Sequence, residues 1–379
     1  IVYCLLRAHG FSVGVFTSPH LTRFTERIVV NDSEILEDEV VYLIEKIKPF
    51  SDELTFFEYV TVMAFDYFRE KSIDYAVIET GMGGRLDATN VVTPVVSVIT
   101  KIGLDHQEFL GPDLVSISKE KAGIIKKGVP VVSSSQEKEA EEVIIKKAEE
   151  MKAPLFIYGR DFYGRLNSIK LEGILFDFYP SKEEDLNSDT YSNLFLPLTG
   201  FHQLENVSVA LKAFMTACPS WKEELIREGL INVTLPGRLE IISYEPLVVF
   251  DIAHNSHAAE ALVKSLKVLT YKKPVVVFAM MQDKDVNGFI RPFEDYAYKI
   301  IFTVPNYERA LKYEELLKNL NDKRVDYIPE SFEAFKKGLL LCKNNQKLYL
   351  LCTGSTYLIG EIKEYLGEKA LYRGLGEIL

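Results

Sequence analysis

The chain alternates continuous apolar runs with amphipathic helical stretches, and it does so in two successive series. Val- and Ile-rich runs separated by helices predict parallel strands that are covered on both faces. In the first series the predicted strands are Ser12–Ser18, Asp74–Glu79, Val95–Thr100, Pro130–Ser134 and Leu155–Tyr158. The predicted helices between them are Leu36–Lys48, Phe57–Lys71, Leu114–Lys126 and Lys138–Met151. The first series therefore predicts a doubly wound α/β domain with one parallel sheet.

A second series begins after the turn Pro236-Gly237-Arg238, and residues 162–180 interrupt the first series with short alternating runs that predict antiparallel hairpins. The later strands are predicted at Leu247–Ile252, Pro274–Met280, Lys299–Val304, Arg324–Ile328 and Lys347–Thr353. A chain of 379 residues is also longer than one hydrophobic core usually serves. We therefore predict two doubly wound domains, residues 1–237 and 238–379, with a small insertion near 162–180.

The net charge, the apolar runs and the cysteine spacing exclude several classes of binding partner for this chain. The formal net charge of −11 argues against nucleic acid or an anionic membrane as the main partner. No apolar run approaches the length of a membrane span, about 18 residues. The four cysteines lack the paired spacing of a zinc or redox site. These features predict a cytoplasmic protein that acts on small molecules.

A carboxylate and a glycine-rich turn follow one predicted strand. The run Tyr75–Ile78 leads into Glu79 and then into the string from Thr80 to Asn90, which holds three glycines. Nucleotide-hydrolysing folds use a strand-end carboxylate to hold Mg²⁺, and glycines let the backbone approach a ligand closely. The alternative for Glu79 is a strand-end acid before an ordinary glycine turn.

Other polar residues also follow predicted strands. His106 follows the strand that ends near Thr100, and Ser18 directly follows the first strand. Because the carboxyl ends of parallel strands meet at one edge of a sheet, His106 is expected at the same edge as Glu79. A structural histidine is the alternative for His106.

In the second series, Asp251 follows a predicted strand and Arg238 stands in the predicted interdomain turn. The planar guanidinium of an arginine between domains matches phosphate oxygens and can clamp a triphosphate. His254 and His257 do not predict zinc, since a third ligand nearby is lacking.

Eight strings spread along the whole chain together resemble the folylpolyglutamate synthase and dihydrofolate synthase family of the Mur ligase-like superfamily. The string Gly-Met-Gly-Gly-Arg-Leu-Asp-Ala-Thr-Asn, which ends at Asn90, is the most specific of them. The others are Thr17–His20, Asp105–Gly111, Glu120–Ile124, Gly200–Asn206, Pro236–Arg238, Asp251–Asn255 and Thr353–Ser355. The resemblance implies a P-loop NTPase-like ATPase domain followed by a Rossmann-like glutamate-ligase domain.

The resemblance also implies an ATP-dependent amide ligase. In such enzymes ATP phosphorylates the terminal carboxylate of a pteroate or folate, and the amine of L-glutamate then attacks the acyl phosphate. By resemblance, Ser18, Glu79 and His106 would hold Mg²⁺ beside the phosphates. Lys121 matches a lysine that is carbamylated in family members and then serves a second metal ion.

The resemblance assigns the remaining site residues. Asn206, Arg238 and Asp251 match ATP-contacting positions, and His254 lies close to where glutamate and the acyl phosphate would meet. A part of the pterin pocket is matched by Thr55, Phe57 and Glu58, although Phe57 is also explained as a core aromatic residue of an amphipathic helix.

The chain departs from the family pattern in two respects. The phosphate loop Gly-Thr-Asn-Gly-Lys-Gly-Ser of the family is expected upstream of Ile1 and is not part of this sequence. Ile252 and Ser256 stand where Gly and Pro are usual.

Two other functions stay open at this point: a Mur-type ligase of peptidoglycan precursors, and a non-catalytic nucleotide-binding relative. The sequence does not separate dihydrofolate synthesis from polyglutamate extension. A monomer is expected.

Overall fold

The computed structural model describes residues 1–50, 53–181, 190–319 and 325–367, which form two compact units. The first unit comprises Ile1–Ser168, Leu175–Pro197 and Gln203–Val233. The second comprises Ile169–Ile174, Leu198–His202 and the residues from Thr234 onward. Helices and strands alternate through both units, so the predicted α/β class is confirmed.

The elements up to residue 231 form the first α/β series. The helices are α1 (Val2–Ala8), α2 (Glu37–Ile47), α3 (Phe56–Glu70), α4 (Gln107–Leu110), α5 (Leu114–Ala122), α6 (Lys138–Met151), α7 (His202–Ala217) and α8 (Glu223–Ile231). The strands are β1 (Val13–Phe16), β2 (Ile28–Val30), β3 (Ser33–Glu34), β4 (Tyr75–Ile78), β5 (Ser97–Ile99), β6 (Val131–Ser133), β7 (Leu155–Ile157), β8 (Tyr163–Lys170), β9 (Gly173–Tyr179) and β10 (Tyr191–Leu196).

The first sheet has the order β3-β2-β1-β4. β1 and β4 are parallel, and Phe16 pairs with Ile78, so the two strands end side by side. β2 and β3 are antiparallel and were not predicted, because strands of two and three residues are too short to show a periodicity. Asn31 and Asp32 join them with positive φ angles of 51° and 70°, which suits a tight hairpin turn.

A second sheet has the order β5-β6-β7, with parallel pairing throughout. Its core holds side chains of α5 and α6, including Ile117 and Ile144. The prediction of one continuous parallel sheet is therefore wrong for the described residues: β4 is an edge strand of one sheet and β5 an edge strand of another. The reason is that periodicity identifies a strand but not its partner.

The predicted insertion contains a third sheet, with the order β10-β9-β8. Only Leu171 and Glu172 separate β8 from β9, and a link of two residues joins antiparallel neighbours. Asp177 of β9 is almost fully buried and accepts hydrogen bonds from the side chains of Arg165 and Asn167. These two bonds compensate the burial of its charge.

The elements from residue 240 onward form the second α/β series. The strands are β11 (Glu240–Tyr244), β12 (Leu247–Phe250), β13 (Lys273–Phe278), β14 (Lys299–Phe302), β15 (Val325–Tyr327) and β16 (Leu348–Thr353). The helices are α9 (Ser256–Leu269), α10 (Val286–Ile290), α11 (Tyr313–Asn319), α12 (Ser331–Asn344) and α13 (Thr356–Leu366). No helix in residues 1–50, 53–181, 190–319 or 325–367 is long and apolar enough to cross a membrane.

The sheet of the second unit has the order β11-β12-β16-β13-β14-β15. Its pairs are parallel except for β11 with β12. Every residue of β12 and β16 is buried, which explains why these strands read as continuous apolar runs. All five predicted strands of this series are present, although the predicted start of β15 at Arg324 lies outside the described residues.

The turn after β16 requires glycine. Gly354 has a φ of +97°, and a Cβ atom there would lie 2.3 Å from the carbonyl oxygen of Ala279. Because that oxygen belongs to the backbone, the neighbouring loop would have to move.

We predict that Gly354→Ala lowers the free energy of unfolding by about 3 kcal/mol, through the left-handed backbone and the backbone clash together. The matched control is Gly128→Ala, because Gly128 also has a positive φ, +71°, and no atom of the described residues lies within 4 Å of its added Cβ. The control should cost only about 1 kcal/mol. Urea unfolding followed by circular dichroism measures both, and equal midpoints for the two variants would contradict the explanation.

Candidate active site

The paired ends of β1 and β4 bring Ser18 and Glu79 into contact. The backbone N–H of Ser18 donates to Glu79 Oε2 over 2.8 Å, and the N–H of Glu79 donates to the carbonyl of Phe16 over 2.8 Å. Glu79 is exposed although it directly follows a strand, so its carboxylate is accessible to a ligand from solvent. The structure thus brings together two of the residues that sequence reasoning assigned to a metal site.

The glycine-rich string packs its backbone tightly against the end of α5. A Cβ atom on Gly84 would lie 2.8 Å from the carbonyl oxygen of Glu120, and one on Gly123 would lie 2.4 Å from the Cβ of Arg85. The backbone N–H of Arg85 donates to the Glu120 carbonyl over 2.8 Å, and their side chains form an ion pair of 3.0 Å. Glycine at these positions therefore allows a close approach of two backbone segments.

The end of the same string is fixed by its own polar side chains. The carboxylate of Asp87 accepts the backbone N–H groups of Met82 over 2.9 Å and of Thr89 over 3.0 Å. The side-chain amide of Asn90 donates to the carbonyls of Arg85 over 3.0 Å and of Gly123 over 3.2 Å. Asp87 and Asn90 are therefore required by the fold of the string itself, because each bonds to the backbone at two places.

His106 and Lys121 lie on two segments that follow β5, which belongs to a different sheet from β4. The expectation that His106 shares a sheet edge with Glu79 is therefore not met in the described residues. His106 is exposed at the start of α4 with a positive φ of 51°, and its N–H donates to the Asp105 carboxylate over 2.9 Å. Lys121 lies near the end of α5 and is partly buried. Burial lowers the pKa of the Lys121 amine, and the nearby negative charge of Asp105 opposes this shift.

The residues expected in the pterin pocket have clear local contacts. Thr55 and Glu58 form a capping box at the start of α3, in which the Glu58 carboxylate accepts the Thr55 N–H over 2.8 Å. The ring of Phe57 is stacked on Phe16 with 5.8 Å between centroids. A Cβ atom on Gly81 would lie 2.5 Å from Phe57 Cζ, so this ring borders the glycine-rich string.

Of the expected nucleotide contacts, Asn206 is exposed on α7, and its side-chain amide donates to Gln203 Oε1 over 3.3 Å. Arg238 is exposed in the turn before β11. These two residues belong to different units of the chain.

Asp251 stabilises the backbone of two loops in the second unit. Its two carboxylate oxygens accept the N–H groups of Leu239 over 2.9 Å and Ala253 over 2.8 Å. Burial raises the pKa of Asp251, while these two bonds and the positive charge of Arg238 oppose the shift. Leu239 has a φ of +46°, a left-handed conformation that is costly for a branched residue, and the hydrogen bond that its N–H donates to Asp251 stabilises it.

His254 is half-buried in the loop after β12, and its Nδ1 lies 3.0 Å from the carbonyl oxygen of Ile252. In the described part of the chain, no three or more His, Cys, Asp or Glu side chains are grouped so that they could hold a metal ion by themselves.

Sequence reasoning missed Glu26, which organises the loop after Ser18. Its carboxylate accepts the backbone N–H groups of Leu21 over 2.7 Å, Thr22 over 3.0 Å and Arg23 over 2.8 Å. Burial alone would raise the pKa of Glu26, but the hydrogen bond from the Thr22 hydroxyl and these three backbone bonds together lower it. A single Glu in a short loop has no periodicity or motif, so nothing in the sequence distinguished it.

Comparison with known proteins covers nearly the whole chain. Residues 22–214 match the family described as the Mur ligase middle domain, and residues 237–356 match the Mur ligase, glutamate ligase domain. The chain is 33% identical to the dihydrofolate synthase/folylpolyglutamate synthase of Bacillus subtilis, over 96% of this chain and 86% of that protein. It is 33% identical to the folylpolyglutamate synthase of Lacticaseibacillus casei, over 96% of this chain and 85% of that protein.

Solved structures give the same result. The folylpolyglutamate synthase of Mycobacterium tuberculosis complexed with ADP is similar with a TM-score of 0.88 and 30% identity, over 97% of this chain and 87% of that one. Escherichia coli FolC in complex with DHPP and ADP has a TM-score of 0.84 and 32% identity, over 96% of this chain and 84% of that one. The predicted two-domain, Mur ligase-like fold is confirmed. With its motifs, its fold and these alignments in agreement, the chain belongs to the folylpolyglutamate synthase and dihydrofolate synthase family.

Proposed function

We propose that the chain is an ATP-dependent ligase that adds L-glutamate to dihydropteroate, to tetrahydrofolate, or to both, through an acyl phosphate. The observation that carries this proposal is the contact of Ser18 with Glu79 beside the glycine-rich string. The relatives whose names include dihydrofolate synthase or folylpolyglutamate synthase support the choice of substrates.

The reaction requires an activated carboxyl group. A carboxylate is a poor electrophile, and its phosphorylation replaces an oxide leaving group by phosphate. The carboxylate takes the γ-phosphoryl group of ATP and ADP is released. The glutamate amine then attacks the acyl phosphate carbon, so that the new C–N bond forms, the amine loses one proton and inorganic phosphate leaves. The protein contributes mainly by orienting the reactants and by stabilising negative charge.

Mg²⁺ is the metal we propose at Ser18, Glu79 and His106. It commonly uses one or two protein carboxylates and completes its octahedral shell with water and substrate phosphates. One accessible carboxylate next to a serine fits this requirement. When bound, Mg²⁺ would neutralise phosphate charge during transfer.

We propose a second Mg²⁺ at Lys121 after carbamylation. The lowered pKa of Lys121 supports this, because a larger fraction of the amine is neutral at a given pH, and the neutral amine is the form that adds CO₂. The new C–N bond forms with loss of one proton and leaves an anionic oxygen ligand.

The remaining roles are also proposals. Asn206 and Arg238 would contact ATP. Asp251, which was also expected to contact ATP, would instead act by holding the turn that carries Arg238. His254 would act near the meeting point of glutamate and the acyl phosphate.

In the pterin pocket, Phe57 is the favoured stacking residue, because its ring borders Gly81 on the string that follows Glu79. Thr55 and Glu58 would contribute to the same pocket from the start of α3.

We assign ATP, Mg²⁺ and pterin binding to residues 1–237 and glutamate ligation to residues 238–379. The two family matches, at 22–214 and 237–356, support this division. We further propose a cytoplasmic monomer.

Phosphate release with ATP, Mg²⁺ and glutamate tests the function. The assay uses the full protein and compares four conditions: dihydropteroate, tetrahydrofolate, a nucleotide-linked peptide of the peptidoglycan pathway, and no acceptor. Release that depends on a pterin, with a product heavier by one glutamate, supports the proposal. Release with the peptide alone, or with none of the acceptors, contradicts it.

We predict that Glu79→Gln lowers turnover by about 100-fold or more, because a neutral amide replaces the charged metal ligand. The amide oxygen still accepts the Ser18 N–H, so the thermal midpoint should stay close to that of the wild type. His106→Ala should lose turnover to a similar extent. Glu139→Gln, at an exposed position of α6, is the control and should keep full turnover. Normal turnover of Glu79→Gln would refute the metal site.

We predict that Lys121→Ala loses about 100-fold or more in turnover and that bicarbonate does not restore it, because no amine is left to carbamylate. The control Lys119→Ala removes an exposed lysine of the same helix and should be neutral. Turnover is measured with and without bicarbonate, and mass spectrometry under non-acidic conditions detects the carbamate. An active wild-type protein with an unmodified Lys121 would contradict carbamylation.

A further inference from the structure

Gln136 joins the loops that follow β5 and β6. Its Oε1 accepts the backbone N–H of Ile102 over 2.9 Å, and its Nε2 donates to the carbonyl of Thr100 over 3.0 Å. Both of these backbone groups belong to the segment that leads from β5 to His106. One side-chain amide therefore satisfies a donor and an acceptor of the loop that presents His106.

This contact begins where the sheet stops. Ile99 pairs with Ser133 at the ends of β5 and β6, and the N–H of Ser134 donates to the carbonyl of Ile99 over 2.9 Å. Beyond that point the backbone N–H and C=O groups of the two segments no longer bond to each other. Gln136 supplies the next two hydrogen bonds between them. Its Nε2 also donates to Ser133 Oγ over 3.2 Å, so the amide has partners that define its orientation.

The other side of the same loop is tied to α7. The backbone N–H of Ser135 donates to Glu205 Oε1 over 2.6 Å, and its hydroxyl donates to the same oxygen over 2.8 Å. Glu205 immediately precedes Asn206, the proposed nucleotide contact. A continuous polar path therefore runs from α7 through residues 135 and 136 to the loop of His106, entirely within the first unit.

We infer that Gln136 and Glu205 are positioning residues, which hold the loop of His106 in register with α7 so that the metal and the nucleotide are bound together. This inference rests on the proposed function, since it takes His106 as a metal ligand and Asn206 as a nucleotide contact. Mutation of residues that hold a metal ligand in place commonly lowers metal affinity or activity by about 10- to 100-fold.

The chain contains a matched control at the next position. Glu137 pairs with Lys101 over 3.2 Å and so joins the same two loops as Gln136. The side chains of this pair are 62% and 41% exposed, however, and an ion pair in solvent contributes little. Glu137→Ala removes this exposed link and leaves Gln136 in place. It therefore shows whether the loss of any contact between the two loops weakens metal binding.

The experiment measures Mn²⁺ affinity by the electron paramagnetic resonance signal of free Mn²⁺, with neither nucleotide nor pterin present, because ATP itself chelates Mn²⁺. Gln136→Ala and the isosteric Gln136→Met should both weaken Mn²⁺ binding by about 10-fold. The Mg²⁺ concentration for half-maximal turnover should rise by a similar factor, while kcat at saturating Mg²⁺ falls less than threefold. Glu137→Ala should change neither value by more than about twofold.

Glu205 provides a rescue test. Glu205→Ala removes the acceptor of Ser135 and should weaken Mn²⁺ binding, whereas Glu205→Gln retains an oxygen in the same place and should restore most of it. If Glu205→Gln is as weak as Glu205→Ala, hydrogen bonding to Ser135 is not its role and the inference for Glu205 is overturned.

His106→Ala separates failure of this inference from failure of the proposed function. If His106→Ala binds Mn²⁺ like the wild type, the proposed metal site is wrong and the inference falls with it. If His106→Ala weakens binding while both Gln136 variants bind normally and only their thermal midpoints fall, Gln136 is merely structural and the inference alone is overturned.

Discussion

The candidate site depends on the in-register parallel pairing of β1 with β4. Parallel strands that start together also end together, so their next residues leave the sheet at one edge. Phe16 opposite Ile78 thereby places Ser18 next to Glu79. A polar group within a strand of a covered sheet would be buried at high cost, whereas these two residues stand where the backbone turns outward. The same pairing therefore stabilises the core and leaves the polar residues after the strands accessible to solvent.

The candidate site also depends on close packing of one backbone segment against another, which glycine allows. The string after Glu79 lies so near the end of α5 that side chains at Gly84 and Gly123 would overlap neighbouring atoms. The close approach fixes the string against the helix that carries Lys121, so the proposed ligands of two metal ions are held by one rigid contact. Flexible loops would have to be ordered at each binding event, at a cost in conformational entropy.

Loops beyond the strand ends are held by side chains. Glu26 accepts three N–H groups of the loop after Ser18, Asp251 accepts two beside β12, and Gln136 serves the loop of His106. The common cause is that backbone groups leaving a sheet lose their partners and must find others. A carboxylate or amide can satisfy two or more of these groups from a single position. Each of these residues therefore fixes the backbone conformation of a loop that follows a strand.

The sequence by itself determined the α/β class and the positions of most core strands. It also placed Glu79 directly after a strand, His106 in the segment that follows another strand, and Lys121 near a helix end. It could do so because periodicity and strand-end placement are local properties of the chain. Only the tertiary structure decided that β4 and β5 belong to different sheets and that Gln136 contacts Thr100 and Ile102. Pairing partners and side-chain contacts join residues far apart in sequence, and a local pattern carries no information about which segments meet.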